Sequence, residues 1–480
     1  DAAQLEIAAL EAAGVTLIDW AALTKSGAQH EQPVDAPLGS DLAFIMYTSG
    51  TTGDPKGAML SHGNILAALS IQGFPGLPLL GADPEVQEIH LSYLPLAHIY
   101  ETVVLNGVLF HAGAVGFYQG DTLKIVEDLQ ALRPTVFSSV PRLYNRIYDK
   151  IVGGAQAKGL IARSLFARAL STKLDALRTT GAIEHGLWDK LVFSKVAAQL
   201  GLDRCRVMFS GSAPISDSVK DFMRVAFSVV FLEGYGMTET TAGATIGFTG
   251  NNKIGTVGKP FVGEIRIQDP NEKGDGEIQF RGRHIMKGYY NNPEATAETM
   301  TEDGWLKSGD LGREDSEGYI SVTGRIKEIY VSSAGKNIAP LVIEETMKSI
   351  PLVSQCMLIG DNRKYCSALF TLDVSVILRD KHGMDGAKVP KDPVEQLAKL
   401  KEFGHDLSEY TDSPEIYAEV QEHVDSLNAQ FSNPEQLKKF TILPRDLSVD
   451  HGELTPTLKI RRIQIRENWA DEIEAMYEGA

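Results

Sequence analysis

Apolar and polar positions alternate in two patterns along the first half of the chain. The run DLAFIMY over 41–47 predicts a buried strand that enters a Gly/Thr-rich loop. The spacing then predicts a helix over 99–110, a strand over 114–118, a helix over 122–132 and a strand over 135–140 stopped by Pro141. A strand over 206–210, a helix over 216–227 and a strand over 229–232 follow. Strands alternating with helices at these lengths predict parallel βαβ units. Apolar runs without polar alternation suit strands covered on both faces. After Gly258 the segments shorten: 263–268, 276–281 and 319–323, set apart by Gly and Pro, predict antiparallel β structure. A new pattern starts near Arg325, with a short strand over 328–331, a glycine loop, a helix over 340–349 and strands over 354–359 and 367–372. Residues 381–393 are polar and carry Gly and Pro, which predicts a surface loop. Two charged helices and a tail finish the chain. The fold class is α/β: a large, multi-subdomain part over 1–323 and a small α+β part over 324–480.

At 480 residues the chain has room for a large core. With 43% hydrophobic and 23% charged residues it is globular in composition, which excludes pervasive disorder and collagen-like repeats. Its net charge of −17 disfavours nucleic-acid binding over the whole surface. Cys205, Cys356 and Cys366 cannot make a disulfide framework, and a reducing compartment is expected. The most apolar stretch, 102–118, is interrupted by Asn106, His111 and three glycines, so a buried helix and strand are expected rather than a spanning segment. The sequence starts at Asp1 without a signal-peptide pattern. The expected location is intracellular: cytoplasmic, or peripheral on an endomembrane.

The strongest chemical signal is YTSGTTGDPKG over 47–57. Three glycines let the backbone approach a ligand closely. Thr48, Ser49, Thr51 and Thr52 offer hydroxyls, Gly50 and Gly53 offer amides, and Lys56 offers a positive charge. Together they describe a phosphate cradle. Pro55 precedes Lys56 and Gly57 follows it, so this is not a Walker A loop, which needs Ser or Thr after its lysine.

This loop resembles the signature of the acyl-adenylate-forming enzymes. GYGMTET over 234–240, GEIQFRG over 276–282, KGYYNNP over 287–293, GWLKSGD over 304–310, TGRIKE over 323–328 and LTPTLKIRR over 454–462 resemble that family's further signatures, in its order. LPLAHIYE over 94–101, VPRLY over 140–144 and the LTPTLK form resemble its long-chain fatty acyl-CoA synthetases. The C-terminal text, including SSAGKNIAP and CMLIGDNRKY, is similar to the bubblegum-type branch. The resemblance implies an adenylating domain over 1–323, a mobile lid domain over 324–480, and ATP, Mg²⁺ and coenzyme A as cofactor and co-substrates. It also implies that most of the section preceding the phosphate loop in the family is absent here, which leads us to expect an uncovered sheet edge or apolar face.

The resemblance implies roles residue by residue. Tyr235 stacks on the purine; Gly211, Ser212, Ala213 and Gly236 line the nucleotide; Thr238 donates to the α-phosphate; Glu239 gives an oxygen to Mg²⁺. Asp310, read as lying on a tight turn, accepts the ribose diol, and Arg325 holds ribose or phosphate. Lys459 bridges the carboxylate and the α-phosphate, Lys327 is the hinge, Gly335 lies in the loop presented to the CoA thiol, and His98 lines the carboxylate end of the pocket. Each residue type also has a plain use: a buried tyrosine, a surface glutamate, an Asx-turn, a core histidine, a solvated lysine in a basic tail. The implied activity is conversion of long-chain fatty acids to acyl-CoA through an acyl-adenylate. A ligase for another acid, such as an aryl acid, and an inactive acyl- or nucleotide-binding homologue stay open.

One reading goes beyond the signatures. Residues 142–178 hold eight basic residues against Asp149 and Asp175. Phe166, Leu170, Leu174 and Leu177 fall on one helical stripe, with Lys173 and Arg178 at its edges. Two packings remain open: the stripe against the large domain, or the patch on anionic lipid.

Overall fold

The computed structural model describes residues 7, 9–30, 32–48, 55–70, 87–156, 158–247, 253, 255–333, 336–384, 388–390, 393–455 and 460–478. Strands β1 (Leu42–Thr48) and β2 (Lys56–Ser61) form an antiparallel hairpin. The run over 41–47 is therefore not the buried βαβ strand expected from its apolarity. It is the edge strand of a three-stranded sheet, and within it only Met46 is buried while Leu42, Phe44 and Tyr47 are exposed. An apolar run reports strand propensity without reporting how many faces are covered. The described residues before β1 are all exposed.

The parallel units follow. β3 (Ile89–Ser92), β4 (Ala114–Phe117), β5 (Val136–Ser139), β6 (Val207–Ser210) and β7 (Val230–Tyr235) are parallel neighbours in the order β4-β3-β5-β6-β7. β8 (Thr245–Ile246) and β9 (Lys259–Pro260) extend this sheet antiparallel. Helices Ile99–Phe110, Ile125–Leu132 and Asp217–Phe227 make the crossovers, close to their predicted bounds. The helix Asp217–Phe227 buries Val219, Phe222, Met223 and Ala226, the spacing of one helical face. They meet Phe137, Met208 and Phe231 of the sheet in one core. Burying each of the larger of these side chains stabilises the fold by about 1.5–3 kcal/mol. β5 is buried throughout despite two serines, because Tyr93 Oη lies 2.6 Å from Ser139 Oγ and Ser138 Oγ lies 2.7 Å from Tyr100 Oη.

The antiparallel texture after Gly258 is also present. β10 (Glu264–Gln268) and β11 (Gly276–Arg281) precede the two-residue β12 (Gly288–Tyr289), which joins the sheet of β2. β13 (Leu306–Glu314) and β14 (Ile320–Arg325) complete a four-stranded antiparallel sheet. β15 (Tyr330–Val331) pairs with β16 (Asn337–Ile338). The last sheet holds β17 (Val353–Ile359), β18 (Cys366–Leu372) and β19 (Leu437–Ile442), with β18 and β19 parallel. The helix over 340–349 is Pro340–Met347. Among the described residues, the core clusters around Phe137 and Phe280 draw only on residues up to Val322, and those around Phe370 and Leu443 only on residues from Tyr330 onward.

The basic stretch over 142–178 forms two helices, Pro141–Gln156 and Leu160–Thr180. Its apolar stripe packs inward: Phe166 lies 5.9 Å from the Phe193 ring and Leu170 packs on the main core. Lys173 is not at a lipid-facing edge. It is fully buried, ion-paired with Asp189 and bonded to Ser228 Oγ at 3.1 Å. Among the described residues no helix is long and apolar enough to cross a membrane.

Candidate active site

The β1–β2 hairpin places Thr48 opposite Lys56, with the phosphate-loop sequence between them. Ser49, Gly50, Thr51, Thr52 and Gly53 lie outside the described residues, as do Gly335 and Lys459. The other candidates converge. Thr48, Lys56, His98, Gly211, Ser212, Ala213, Tyr235, Gly236, Thr238, Glu239, Asp310, Arg325 and Lys327 all line one cleft of about 3380 Å³. Residues from the C-terminal part, including Thr455, Ile460 and Arg461, line it as well.

The tip of β6 and the turn after it supply Gly211, Ser212 and Ala213. Gly211 lies against the Tyr100 ring, where a Cβ would be in ordinary contact at 3.4 Å, and Ser212 adopts φ +73°. β7 ends at Tyr235. At Gly236 a Cβ would sit 2.1 Å from the Ala242 carbonyl, so only glycine lets this turn close. The turn Thr238–Thr240 then carries Glu239, which is 5% exposed.

Asp310 does not lie on a turn. It sits inside β13, where the ladder to β14 pairs Asp310 with Arg325 and Leu311 with Gly324. Tyr235 Oη donates to Asp310 Oδ2 at 2.8 Å, and Arg325 Nε lies 3.0 Å from Oδ1. Burial, the Asp310 charge and the bond to it raise the Tyr235 hydroxyl well above its usual value, so it stays protonated as a donor. A carboxylate oxygen can accept more than one hydrogen bond, which suits a diol. Lys327 lies in the turn Ile326–Glu328 and is exposed. His98 stands at the N-cap position of helix Ile99–Phe110, without a side-chain capping bond, and is exposed at the cleft.

Glu239 shows a contact that sequence spacing gives no hint of. Tyr289 Oη donates to Glu239 Oε1 at 2.6 Å, and Lys56 Nζ lies 5.3 Å from the centre of the Tyr289 ring. Tyr289 falls within the KGYYNNP text, yet its partner is fifty residues away in sequence. Among the described residues no group of three or more His, Cys, Asp or Glu side chains could hold a metal ion. A lone buried carboxylate suits a hard cation that keeps most of its other oxygen ligands from water or phosphate.

Residues 3–290 match the family described as AMP-binding enzyme. The chain is 37% identical over 481 residues to long chain acyl-CoA synthetase 7, peroxisomal, of Arabidopsis thaliana, covering 97% of this chain and 65% of that protein. It is 34% identical over 471 residues to the long-chain-fatty-acid–CoA ligase ACSBG2 of Xenopus laevis, covering 94% and 62%. It is 35% identical over 447 residues to the long-chain-fatty-acid–CoA ligase FadD15 of Mycobacterium tuberculosis, covering 91% and 70%. The chain thus spans about 65% of the length of the Arabidopsis relative. Among solved structures, the adenylation domain of a carboxylate reductase from Mycobacterium chelonae matches with a TM-score of 0.68 at 24% identity, over 99% of this chain and 67% of that one. The A domain of a carboxylic acid reductase from Segniliparus rugosus, in complex with AMP and a co-purified carboxylic acid, matches at 0.66 and 23%, over 99% and 68%. These structural likenesses speak to the fold alone.

Proposed function

The chain belongs to the AMP-binding enzyme family, and on that premise we propose that it activates long-chain fatty acids. Fatty acid and ATP give an acyl-adenylate and pyrophosphate; coenzyme A then gives acyl-CoA and AMP. In the first half, a carboxylate oxygen attacks the α-phosphorus and the bond to the bridging oxygen of pyrophosphate breaks. In the second, the thiolate sulfur attacks the acyl carbon and AMP leaves with its oxygen. Relatives named as long-chain acyl-CoA synthetases and ligases support the acid class. The observation that carries the reading is contact between residues of separate sequence signatures: Asp310 meets both Tyr235 and Arg325, and Tyr289 touches both Glu239 and Lys56.

In this reading Asp310, steadied by Tyr235 and Arg325, accepts the ribose diol, and the Tyr235 ring meets the purine. Gly211, Ser212, Ala213 and Gly236 line the nucleotide. Thr48, Ser49, Gly50, Thr51, Thr52, Gly53 and Lys56 cradle the phosphates, and Thr238 donates to the α-phosphate. Glu239 would hold Mg²⁺, which when bound would offset the negative charge of the triphosphate. His98 faces the acid's carboxylate. Lys459 places a cation between two anions that otherwise repel, where charge builds in the transition state. Residues 324–480 act as a lid that turns about Lys327, carrying Lys459 to the first half-reaction and the Gly335 loop to the second. Separate cores before Val322 and after Tyr330 support that division.

Pyrophosphate release and thioester formation across acids of graded chain length test this. Long-chain acids are expected to give the highest kcat/KM. A higher value with aryl acids moves the chain to another ligase class, and nucleotide binding without pyrophosphate release from any acid leaves a binding homologue. Lys459→Ala is expected to slow adenylation by about 10² or more while sparing thioester formation from supplied acyl-adenylate. Equal loss in both halves counts against that role.

Peripheral contact with an anionic endomembrane belongs to the same proposal, centred on the N-terminal end of helix Leu160–Thr180. Leu160 and Ile161 are 83% and 88% exposed there, beside exposed Lys158, Arg163 and Arg168. Each basic residue near such a surface contributes about 1 kcal/mol, less at high salt. Arg163→Glu with Arg168→Glu is expected to abolish co-sedimentation with anionic liposomes; unchanged binding removes this contact.

A further inference from the structure

Tyr289 lies between the two opposite charges of the site. Its backbone belongs to β12, where Tyr289 pairs with Ala58 and Gly288 with Met59, on the strand that begins at Lys56. The segment is fastened on both sides. Met286 N donates to the Glu239 carbonyl at 2.9 Å, Lys287 N to the Met59 carbonyl at 2.9 Å and Tyr290 N to the Gly57 carbonyl at 2.8 Å. Tyr289 N donates to Thr296 Oγ1 at 2.9 Å. Gly288, with φ +136°, lets the chain pass Thr296, since a Cβ there would lie 2.8 Å from Thr296 Cγ2. The ring is thus fixed by its backbone, 7% exposed, and facing the cleft.

What the ring does follows from its chemistry. Its edge donates the hydroxyl proton to Glu239 Oε1, and its face receives the Lys56 ammonium. A lysine and a buried glutamate in one cleft attract each other strongly. Were they to meet, the ammonium would no longer be free for phosphate nor the carboxylate for a cation. Among the ion pairs of the described residues, Lys56 and Glu239 form none with each other.

We propose that Tyr289 is a positioning residue that holds the Lys56 ammonium and the Glu239 carboxylate apart, giving each an uncharged partner that a ligand can supplement or replace. The hydroxyl occupies Oε1 and leaves Oε2 for the cation that would accompany ATP, while the ring face gives the ammonium a partner other than Glu239. This rests on the function proposed above.

The test reads binding rather than turnover. Mn²⁺ affinity is measured by electron paramagnetic resonance with a non-hydrolysable ATP analogue, and nucleotide affinity without metal by calorimetry. Tyr289→Phe keeps the face and loses the hydroxyl, so Mn²⁺ affinity should fall about tenfold, as for loss of one charge-assisted bond, with metal-free nucleotide affinity within about twofold. Tyr289→Leu removes both contacts, so both affinities should fall. Adding Lys56→Met to Tyr289→Leu should then restore Mn²⁺ affinity toward that of Tyr289→Phe, because no ammonium is left to capture Glu239. Wild-type Mn²⁺ affinity in Tyr289→Phe, in a variant with unchanged melting temperature, overturns the proposal. If Tyr289→Leu does not fold, Tyr289→Phe alone decides. If the unaltered protein binds no metal–nucleotide, the proposed function itself falls, a result distinct from a silent Tyr289→Phe.

Discussion

Both ring nitrogens of His284 are buried without a hydrogen-bond partner among the described residues, although its carbonyl accepts from Thr241 Oγ1 at 2.7 Å. Burial alone pushes its imidazole down to about 4. The unfolded chain, with the usual value of about 6.5, binds a proton that the folded chain refuses. Stability is therefore complete above about pH 6.5 and is lost as pH falls toward 4, by up to about 3 kcal/mol. Urea unfolding between pH 7.5 and 5 should show this slope, and His284→Leu should flatten it; an unchanged slope in that variant places the proton elsewhere. Residues such as His284 and Tyr289 mark where sequence stops informing at this scale. Lys56, Glu239 and Asp310 stand in recognisable text, and they do converge on one cleft. The tyrosine that separates Lys56 from Glu239 becomes visible only once β12 is seen to pair with β2, since nothing in the spacing of KGYY points to position 239. The position of Asp310 in β13, with Tyr235 and Arg325 on its two oxygens, is likewise a product of strand register.

Helix Leu160–Thr180 shows how far spacing carries at the level of an element. The stripe of Phe166, Leu170, Leu174 and Leu177 is a real face, and its period gave the helix correctly. Spacing could not say that Lys173 lies inside it. A lysine stem is apolar enough to cross a core contact when a carboxylate waits at its end, here Asp189 from the neighbouring turn. Desolvation lowers the affinity of the Lys173 ammonium for its proton, and Asp189 opposes this. Lys173→Glu buries two like charges and should cost about 3–5 kcal/mol, read as a large fall in melting temperature. Arg168→Glu, on an exposed position of the same helix, should change stability by no more than about 0.5 kcal/mol. Equal effects would mean that Lys173 is solvated. β1 errs in the opposite direction. Its apolar run forms a strand as expected, but as a sheet edge paired with β2 alone, and coverage by neighbours is not encoded in the run itself. The crossover helices were easier, because Ile99–Phe110 and Asp217–Phe227 each bury a face against the parallel sheet.

At the level of the whole molecule, the two halves meet away from the chain that joins them. Beside that chain Arg462 binds Glu344 through both terminal nitrogens at 2.6 Å and reaches Glu328 at 3.3 Å, so the residue after Lys327 is tied to the small half. If the small half turns about Lys327, Lys327→Pro should retain ATP–pyrophosphate exchange and lose thioester formation, because proline fixes φ at the pivot; thioester formation at the original rate would exclude that pivot. The contact between the halves lies at helix Pro141–Gln156 of the large half. There Asp149 approaches Asp373 and Arg379 of the small half, and a Cβ added at Gly153 would come within 3.4 Å of Arg379 Nη1. Arg379 is itself paired with Asp380, and Arg142 faces Asp446 nearby. Burial first and the Asp373 charge second push Asp149 up to about 6, with Arg379 opposing them. A turn of the small half would remove this neighbourhood and return Asp149 to its usual value of about 3.9. The contact therefore holds a proton that the separated halves release. It is strongest at low pH and weakens as pH rises from about 4 to 6, by less than the shift alone would give, because Asp149 is exposed and solvent screens its charge. Distances between spin labels on the two halves should report more of the docked arrangement at pH 5.5 than at pH 7.5. Asp149→Asn, neutral at both, should stay docked at both, and a pH response that persists in this variant assigns the proton to another group.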